Sequence, residues 1–224
     1  MEEMQDLSFA IDDSDEAENL EQQSFHLEEE IRASEESVLN GDDMLRLDKI
    51  IGEGGYGKVF IGRLNDQVVC VKQAKKGQEV ALWKEFEILN MLKDERGIVK
   101  VFGIREHEGH LCMIMEKADG SLRDLICHPQ YSEIASDDVM IKLLHDLFDA
   151  MRSLRLHNIT HKDIKPDNIL VFLTKRVRHI EFKLCDFGVS HMGEISLPGG
   201  TKPYMAPQLL DCIRSSVPIA INAA

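Results

Sequence analysis

The chain lacks the sequence features of membrane proteins, secreted proteins and disulfide-rich domains. No window approaches the ~20 consecutive apolar residues of a membrane-spanning helix. The N-terminal stretch MEEMQDLSF has no basic region followed by an apolar one, so it predicts no secretory signal. The five cysteines form no CxxC pair and leave one unpaired, which is typical of reduced thiols. We therefore expect an intracellular protein, cytoplasmic or nuclear, that does not bind membranes.

Basic residues are almost absent from the N-terminal part of the chain. Residues 1–45 hold 16 Asp and Glu against one Arg, whereas residues 46–224 carry a net charge of +1. So acidic a segment, with few β-branched residues, has little apolar surface to bury, and residues 1–44 are predicted to be a disordered acidic tail. Three interpretations remain open: a solvated tail, a docking or autoregulatory tail, or a short acidic helix over 20–37. A chain this acidic is not expected to bind nucleic acid.

Ordered structure is predicted to begin near residue 45. Residues 45–74 alternate apolar and polar residues around glycines, a pattern that predicts two or three antiparallel strands. Gly52, Gly54 and Gly57 form GxGxxG, but a dinucleotide-binding fold would need a helix directly after them. Strand-forming residues 58–62 follow instead, which favours a glycine-rich hairpin folded over phosphates. A plain glycine-rich turn is the alternative.

The next segment, residues 77–93, has helical periodicity. Leu82 and Leu89 share one face of this predicted helix, and Glu85 lies on the same face. A carboxylate on a buried face requires a cation, and Lys72 on the preceding strand is the candidate.

Two further strands and a second helix are predicted from the following residues. The strands cover 98–104 and 111–117, with a turn at Glu108 and Gly109. The helix begins at 136–138, where acidic residues suit the helix dipole, and ends near Asn158. Its predicted apolar face comprises Met140, Leu143, Leu144, Leu147, Met151 and Leu154.

Residues 161–170, HKDIKPDNIL, place one His, two Asp, two Lys and one Asn beside an apolar run. Such a cluster is costly to bury unless its groups bind one another or a ligand. Together with the other motifs it resembles the eukaryotic-type protein kinases. The motifs, in the order of that family, are GEGGYGKV (52–59), VCVK (69–72), Glu85, HKDIKPDN (161–168), DFG (186–188) and GTKPYMAP (200–207).

The resemblance implies an α+β fold with the two lobes of a protein kinase. Residues 45–117 would form the small lobe, a five-stranded antiparallel sheet with one helix. Residues 118–208 would form an incomplete, mainly helical large lobe that carries the catalytic loop and the activation segment. Residues 209–224 depart from the family, whose large lobe continues with further helices. We therefore expect a truncated product, an alternatively ended form or an incomplete gene model.

The resemblance also implies the catalytic roles. Asp163 would accept the proton of the substrate hydroxyl, and Lys165 would lie against the γ-phosphate. Lys72, paired with Glu85, would hold the α- and β-phosphates. Thr201 would bridge Asp163 and Lys165, as in the branch of the family that phosphorylates Ser and Thr. Dual specificity is the alternative to Ser/Thr specificity.

Cofactor and structural residues follow from the same resemblance. Asn168 and Asp186 would hold Mg²⁺. His161 would be structural, stacked with Phe187, and Cys185 would be a buried, inert thiol. The implied ATP-binding residues are Gly52, Gly54, Gly55, Gly57, Val59, Cys70, Lys72, Met115, Glu116, Ala118 and Leu170.

Two functional hypotheses remain open. In the first, the chain is an ATP- and Mg²⁺-dependent kinase that phosphorylates Ser and Thr of protein substrates. In the second, it is a non-catalytic fragment that binds nucleotide or a partner protein. The complete catalytic set favours the first, and the departure after residue 208 favours the second, so we expect at most weak activity from residues 1–224 alone.

Deletion of residues 1–40 is expected to leave the fold intact, because a tail of this charge density buries little surface. Thermal unfolding of the chain with and without these residues tests this, and the two midpoints should agree within a few degrees. A loss of many degrees on deletion would contradict it.

Overall fold

The computed structural model describes residues 44–55, 57–128, 136–173, 180–193, 195–196, 199–208, 210 and 219–220. The predicted tail, apart from residue 44, lies outside the described residues, as does most of 209–224. The strands are β1 Leu45–Glu53, β2 Gly57–Leu64, β3 Gln67–Ala74, β4 Val101–His107, β5 His110–Glu116, β6 Gly120–Ser121, β7 Ile159–Thr160, β8 Ile169–Leu173, β9 Ile180–Leu184, β10 His191–Met192, β11 Ile195–Ser196 and β12 Ile219–Ala220. The helices are α1 Glu79–Met91, α2 Leu122–Cys127 and α3 Asp137–Leu156, with short 3₁₀ turns at Pro166–Asn168 and Lys202–Tyr204.

The first five strands form one antiparallel sheet in the order β1-β2-β3-β5-β4. Asn65 and Asp66 form the turn between β2 and β3, and Asn65 adopts the left-handed conformation that such tight turns use (φ 53°). The turn between β4 and β5 lies at Glu108 and Gly109, as the sequence predicted. The expected five-stranded sheet is therefore confirmed.

The two faces of this sheet bury different apolar sets. One face carries a cluster of buried side chains, none of which comes from α1. Its members are Leu45, Val69, Val71, Cys112 and Ile114. Helix α1 packs on β4 and β5 and buries Leu82, Trp83, Glu85, Phe86 and Leu89. The predicted shared face of Leu82, Glu85 and Leu89 is confirmed, and it places a carboxylate inside the small lobe.

The described part of the large lobe consists of α2, α3 and three small sheets. Strands β6, β8 and β9 form one sheet, β7 pairs with β10, and β11 pairs with β12. Ser121 caps the N-terminus of helix α2: its hydroxyl accepts the Asp124 N–H, while the Asp124 carboxylate accepts the Ser121 N–H. This reciprocal capping stabilises a helix of only six residues. Helix α2 and strands β6 to β9 are elements that the sequence patterns did not predict.

The connection between α1 and β4, residues 92–100, ties the small lobe to the large one. Val99 donates its N–H to the Leu184 carbonyl at 2.9 Å, in strand β9. The Glu95 carboxylate accepts the Ser153 hydroxyl of α3 at 2.6 Å. These contacts fix α1, and with it Glu85, relative to the β8–β9 hairpin that precedes the DFG motif.

The face that helix α3 buries coincides only in part with the predicted one. Of the predicted apolar set, Leu143 and Leu154 are buried, whereas Met140, Leu144 and Met151 are 56%, 62% and 55% exposed. The helix packs on β9 through a narrow face that includes Asp146, Ala150 and Ser153. Asp146 accepts the Phe182 N–H at 3.0 Å, so the contact between α3 and β9 includes a hydrogen bond as well as apolar side chains. Within the described residues, no helix is long and apolar enough to cross a membrane.

Leu89→Ala is expected to lower the free energy of unfolding by about 2–5 kcal/mol, because Leu89 is completely buried and the substitution leaves a cavity. Met91→Ala on the same helix is the matched control, since Met91 is 45% exposed and surface changes of this kind stay within roughly 0.5 kcal/mol. Urea unfolding of both variants measures the difference. Equal destabilisation by the two substitutions would contradict the proposed packing of α1.

Candidate active site

A cavity of about 540 Å³ lies under the β1–β2 hairpin, between the sheet and the β6–β9 region. Its walls come from β1, β2, β3, β5 and the segment that follows β5, together with β8 and the DFG motif. It therefore collects residues far apart in sequence. The predicted site residues that line it are Gly52, Gly54, Gly57, Val59, Cys70, Lys72, Glu85, Met115, Glu116, Ala118, Asn168, Leu170 and Asp186.

Four predicted residues do not line this cavity. Gly55 is exposed at the tip of the glycine hairpin. The other three, Asp163, Lys165 and Thr201, form a separate hydrogen-bonded cluster, described below. Asp163 is joined to the cavity through Asn168, which belongs to both groups.

An ion-paired triad connects β3, α1 and the DFG motif inside the cavity. The Lys72 ammonium lies 2.7 and 2.8 Å from the two carboxylate oxygens of Glu85 and 2.8 Å from Oδ1 of Asp186. Burial disfavours the ammonium, but the two carboxylates outweigh burial and raise the pKa of Lys72. Burial raises the pKa of Glu85, and the attraction of Lys72 opposes that rise. The predicted pairing of Lys72 with Glu85 is present.

The catalytic-loop cluster holds Asp163 from two sides. Lys165 donates to Oδ2 of Asp163 at 2.6 Å and to the Thr201 hydroxyl at 2.7 Å. The Thr201 N–H donates to Oδ1 of Asp163 at 2.7 Å. Burial raises the pKa of Asp163, but the hydrogen bonds from Lys165 and Thr201 outweigh burial and lower it below its usual range. Asp163 is therefore an ionised, oriented carboxylate at neutral pH.

His161 is a structural residue in this arrangement. Its Nε2 lies 3.0 Å from the Cys185 carbonyl, and its Nδ1 accepts the Asp163 N–H at 3.3 Å. A carbonyl only accepts, so Nε2 carries the proton and the ring is neutral. Burial lowers the pKa of His161, which favours the same neutral form. The ring also meets Phe187 edge-on, with centroids 4.7 Å apart, as the predicted stacking requires.

Asn168 and Asp186 offer the oxygen donors that Mg²⁺ prefers. The Asn168 amide nitrogen donates to the Asp163 carbonyl at 2.9 Å and to its Oδ2 at 3.1 Å. Because both amide hydrogens are engaged, the orientation of the amide is fixed and its oxygen faces away from Asp163. Within the described residues, no group of three or more His, Cys, Asp or Glu could hold a metal by itself. The two residues thus fit a metal ion whose remaining coordination positions would be filled by oxygens of a bound ligand and by water.

The backbone is strained at the two ends of this site. Lys162 and Asp186 both adopt left-handed conformations, with φ of 67° and 61°. Such conformations in non-glycine residues are uncommon and concentrate at functional sites. Gly200 has φ of 112°, and a Cβ there would lie 2.2 Å from the Lys162 carbonyl oxygen. Only glycine allows the activation segment to approach the catalytic loop so closely.

Two ion pairs near the cavity were missed in the sequence, because their partners are far apart in the chain. Lys183 on β9 lies 2.8 and 2.9 Å from the carboxylate oxygens of Glu116, with its ammonium 4.6 Å from the Phe172 ring centre. Arg123 on α2 donates to both carboxylate oxygens of Asp167, at 3.0 and 3.3 Å. The first joins the end of β5 to β9, and the second joins α2 to the 3₁₀ turn at Pro166–Asn168.

Both cysteines at the cavity wall are unreactive thiols. Burial raises the pKa of Cys70 to about 11, so almost no thiolate forms at neutral pH. Burial also raises the pKa of Cys185, and the neighbouring Asp186 raises it further. The expectation of an inert thiol before the DFG motif agrees with this environment.

Comparison with known proteins adds a family match to this geometry. Residues 45–222 match the protein kinase domain family. The "Inhibitor of nuclear factor kappa-B kinase epsilon subunit homolog 1" of Caenorhabditis elegans is 34% identical over 189 residues, 73% of this chain and 23% of the relative. The "Serine/threonine-protein kinase dkf-2" of Caenorhabditis briggsae is 32% identical over 174 residues, 73% of this chain and 14% of the relative.

A third relative is covered over more of its length. The "MAP kinase-interacting serine/threonine-protein kinase 1" of Xenopus tropicalis is 26% identical over 198 residues, 80% of this chain and 46% of the relative. The chain therefore spans less than half the length of each of these three relatives. The family match covers the glycine hairpin, the ion-paired triad and the catalytic-loop cluster alike. The chain belongs to the protein kinase family.

Proposed function

We propose that the chain is an ATP- and Mg²⁺-dependent kinase that transfers the γ-phosphate of ATP to Ser and Thr hydroxyls of protein substrates. One observation carries this proposal: Asp163, Lys165 and Thr201 form a hydrogen-bonded cluster that is joined through Asn168 to a cavity of about 540 Å³. The cavity size suits a nucleotide, since ligand pockets span roughly 300–1,000 Å³.

The apolar part of the cavity suits an adenine ring. The Glu116 N–H donates to the Lys100 carbonyl at 2.9 Å, so the group that Glu116 offers to adenine is its carbonyl. Lys183 holds the Glu116 side chain on β9, so that side chain does not compete for the ring. The Ala118 N–H would complete the pair of backbone contacts. The apolar walls would come from Val59, Cys70, Met115 and Leu170.

The polar part of the cavity suits phosphates. The Lys72 ammonium, oriented by Glu85, would contact the α- and β-phosphates, while the backbone N–H groups of the glycine hairpin would cover them. Asn168 and Asp186 would hold Mg²⁺, which would neutralise charge that builds up on the phosphate oxygens. In this proposal the ion pairs and hydrogen bonds of Lys72, Asn168 and Asp186 orient these side chains for the nucleotide, and positioning of this kind is the main requirement of phosphoryl transfer.

The catalytic-loop cluster suits the transfer itself. The γ-phosphorus would form a bond to the substrate hydroxyl oxygen as its bond to the bridging oxygen of ATP breaks, and ADP would leave. The hydroxyl proton would pass to Asp163, whose lowered pKa keeps it ionised and able to orient the hydroxyl. Lys165 would stabilise the charge of the transferred phosphoryl group. The contact of Lys165 with the Thr201 hydroxyl supports the Ser/Thr branch, and two of the relatives carry that description in their names.

Asp163→Asn is expected to reduce transfer of radiolabelled γ-phosphate to a generic Ser/Thr protein substrate by at least about a hundredfold, because the amide cannot accept the hydroxyl proton. The same variant should bind ATP–Mg²⁺ as the parent does, since Asp163 does not line the nucleotide cavity. Binding is measured with a fluorescent ATP analogue. Lys72→Met is the contrasting variant and should weaken binding as well as transfer.

The result decides between the two functional hypotheses. Transfer by the Asp163→Asn variant at the rate of the parent chain would refute the assignment of the base. Nucleotide binding without any transfer above the Asp163→Asn background would instead favour the non-catalytic fragment. A parent chain that bound no nucleotide would refute the kinase proposal.

A further inference from the structure

A lysine outside the cavity holds the tip of the glycine hairpin. The Lys75 ammonium, directly after β3, donates to the Gly54 carbonyl oxygen at 2.7 Å. Its second neighbour is the Glu53 carboxylate, 3.7 Å away. The Lys75 and Glu53 side chains are partly exposed, at 42% and 54%. Glu53 and Gly54 both line the cavity, whereas Lys75 does not.

The space beside Gly54 and Gly55 is open, as far as the described residues show. A Cβ added at Gly54 or Gly55 would meet no heavy atom within 4 Å, so no neighbouring group presses on either residue. Glycine backbones are also the most flexible in proteins. The tip is instead held by polar contacts to its backbone: the Gly54 N–H donates to the Gly57 carbonyl at 2.9 Å, and the Gly54 carbonyl accepts from Lys75.

The direction of the Gly54 carbonyl determines the direction of the next N–H group. Gly54 and Gly55 are joined by a trans peptide bond, in which the C=O and the N–H point to opposite sides. Because Lys75 holds the Gly54 carbonyl toward itself, the Gly55 N–H points away from Lys75, which does not line the cavity. A nearby ammonium also polarises the peptide group and makes that N–H a stronger donor.

We propose that Lys75 is a positioning residue for the phosphates of the nucleotide: by holding the Gly54 carbonyl, it turns the Gly55 N–H toward them. This inference rests on the proposed function, since it assumes that the cavity binds a nucleotide. It assigns Lys75 a role distinct from that of Lys72, whose ammonium lies inside the cavity and contacts Glu85 and Asp186. The ion pair with Glu53 contributes little to stability, because both side chains are exposed to solvent.

The test compares ligands that differ only in their phosphates. Lys75→Met should weaken the binding of ATP–Mg²⁺ about fivefold, the effect of losing one charge-assisted hydrogen bond at an exposed site. The affinity for adenosine, which has no phosphates, should stay unchanged. Lys75→Arg should restore most of the ATP affinity, because the guanidinium also donates to a carbonyl. Equilibrium dialysis with labelled ATP and labelled adenosine measures both affinities.

Lys76→Met is the matched control, since it removes the same charge from the neighbouring, exposed position. It should leave the affinities for both ligands unchanged. Weaker ATP binding in Lys76→Met to the same degree would show a general charge effect and overturn the proposal. Equal loss of adenosine and ATP affinity in Lys75→Met would show a structural role and overturn it as well. If the parent chain bound neither ligand, the proposed function itself would be refuted. This outcome is distinct from a failure of the Lys75 proposal, which is judged only by comparing the variants with a parent chain that binds ATP.

Discussion

The site depends on one ion-paired triad, formed by Lys72, Glu85 and Asp186. Its three members come from a strand, a helix and a loop, so the triad exists only when these elements are correctly packed. Glu85 is almost completely buried, and a buried carboxylate without its cation would be strongly destabilising. Two carboxylates share one ammonium here, which leaves a negative charge beside the cavity. A bound metal ion would compensate that charge.

The rest of the fold holds these three elements at fixed distances. Helix α1 packs its apolar face on the sheet and carries Glu85 toward Lys72. The connection after α1 then joins β9 through Val99 and Leu184, and β9 leads directly into the DFG motif. Continuous backbone contacts thereby connect the elements that carry the lysine and the two carboxylates. The ion pair between Glu116 and Lys183 adds a second link between the sheet and β9.

Hydrogen bonds connect the charged and polar groups of the catalytic loop to one another. Asp163 accepts from Lys165 and Thr201, and its own N–H donates to His161. Each bond comes from a different part of the loop or from the activation segment. This explains how the loop keeps a dense set of charges partly buried: each group serves as the partner of another. Left-handed backbone conformations at Lys162 and Asp186 are held by the same surroundings.

The sequence by itself determined the small-lobe elements and the local motifs, because strand alternation, helical periodicity and turn residues act over short distances. Such patterns predicted two or three strands before helix α1, two strands after it, the helix itself and the Lys72–Glu85 pair, whereas the number of five strands came from the resemblance to protein kinases. Only the tertiary structure decided which face of α3 is buried, since that face packs on β9 and includes the polar contact of Asp146 with Phe182. The pairing of Lys183 with Glu116 was decided in the same way, because 67 residues separate the two and no local pattern links them.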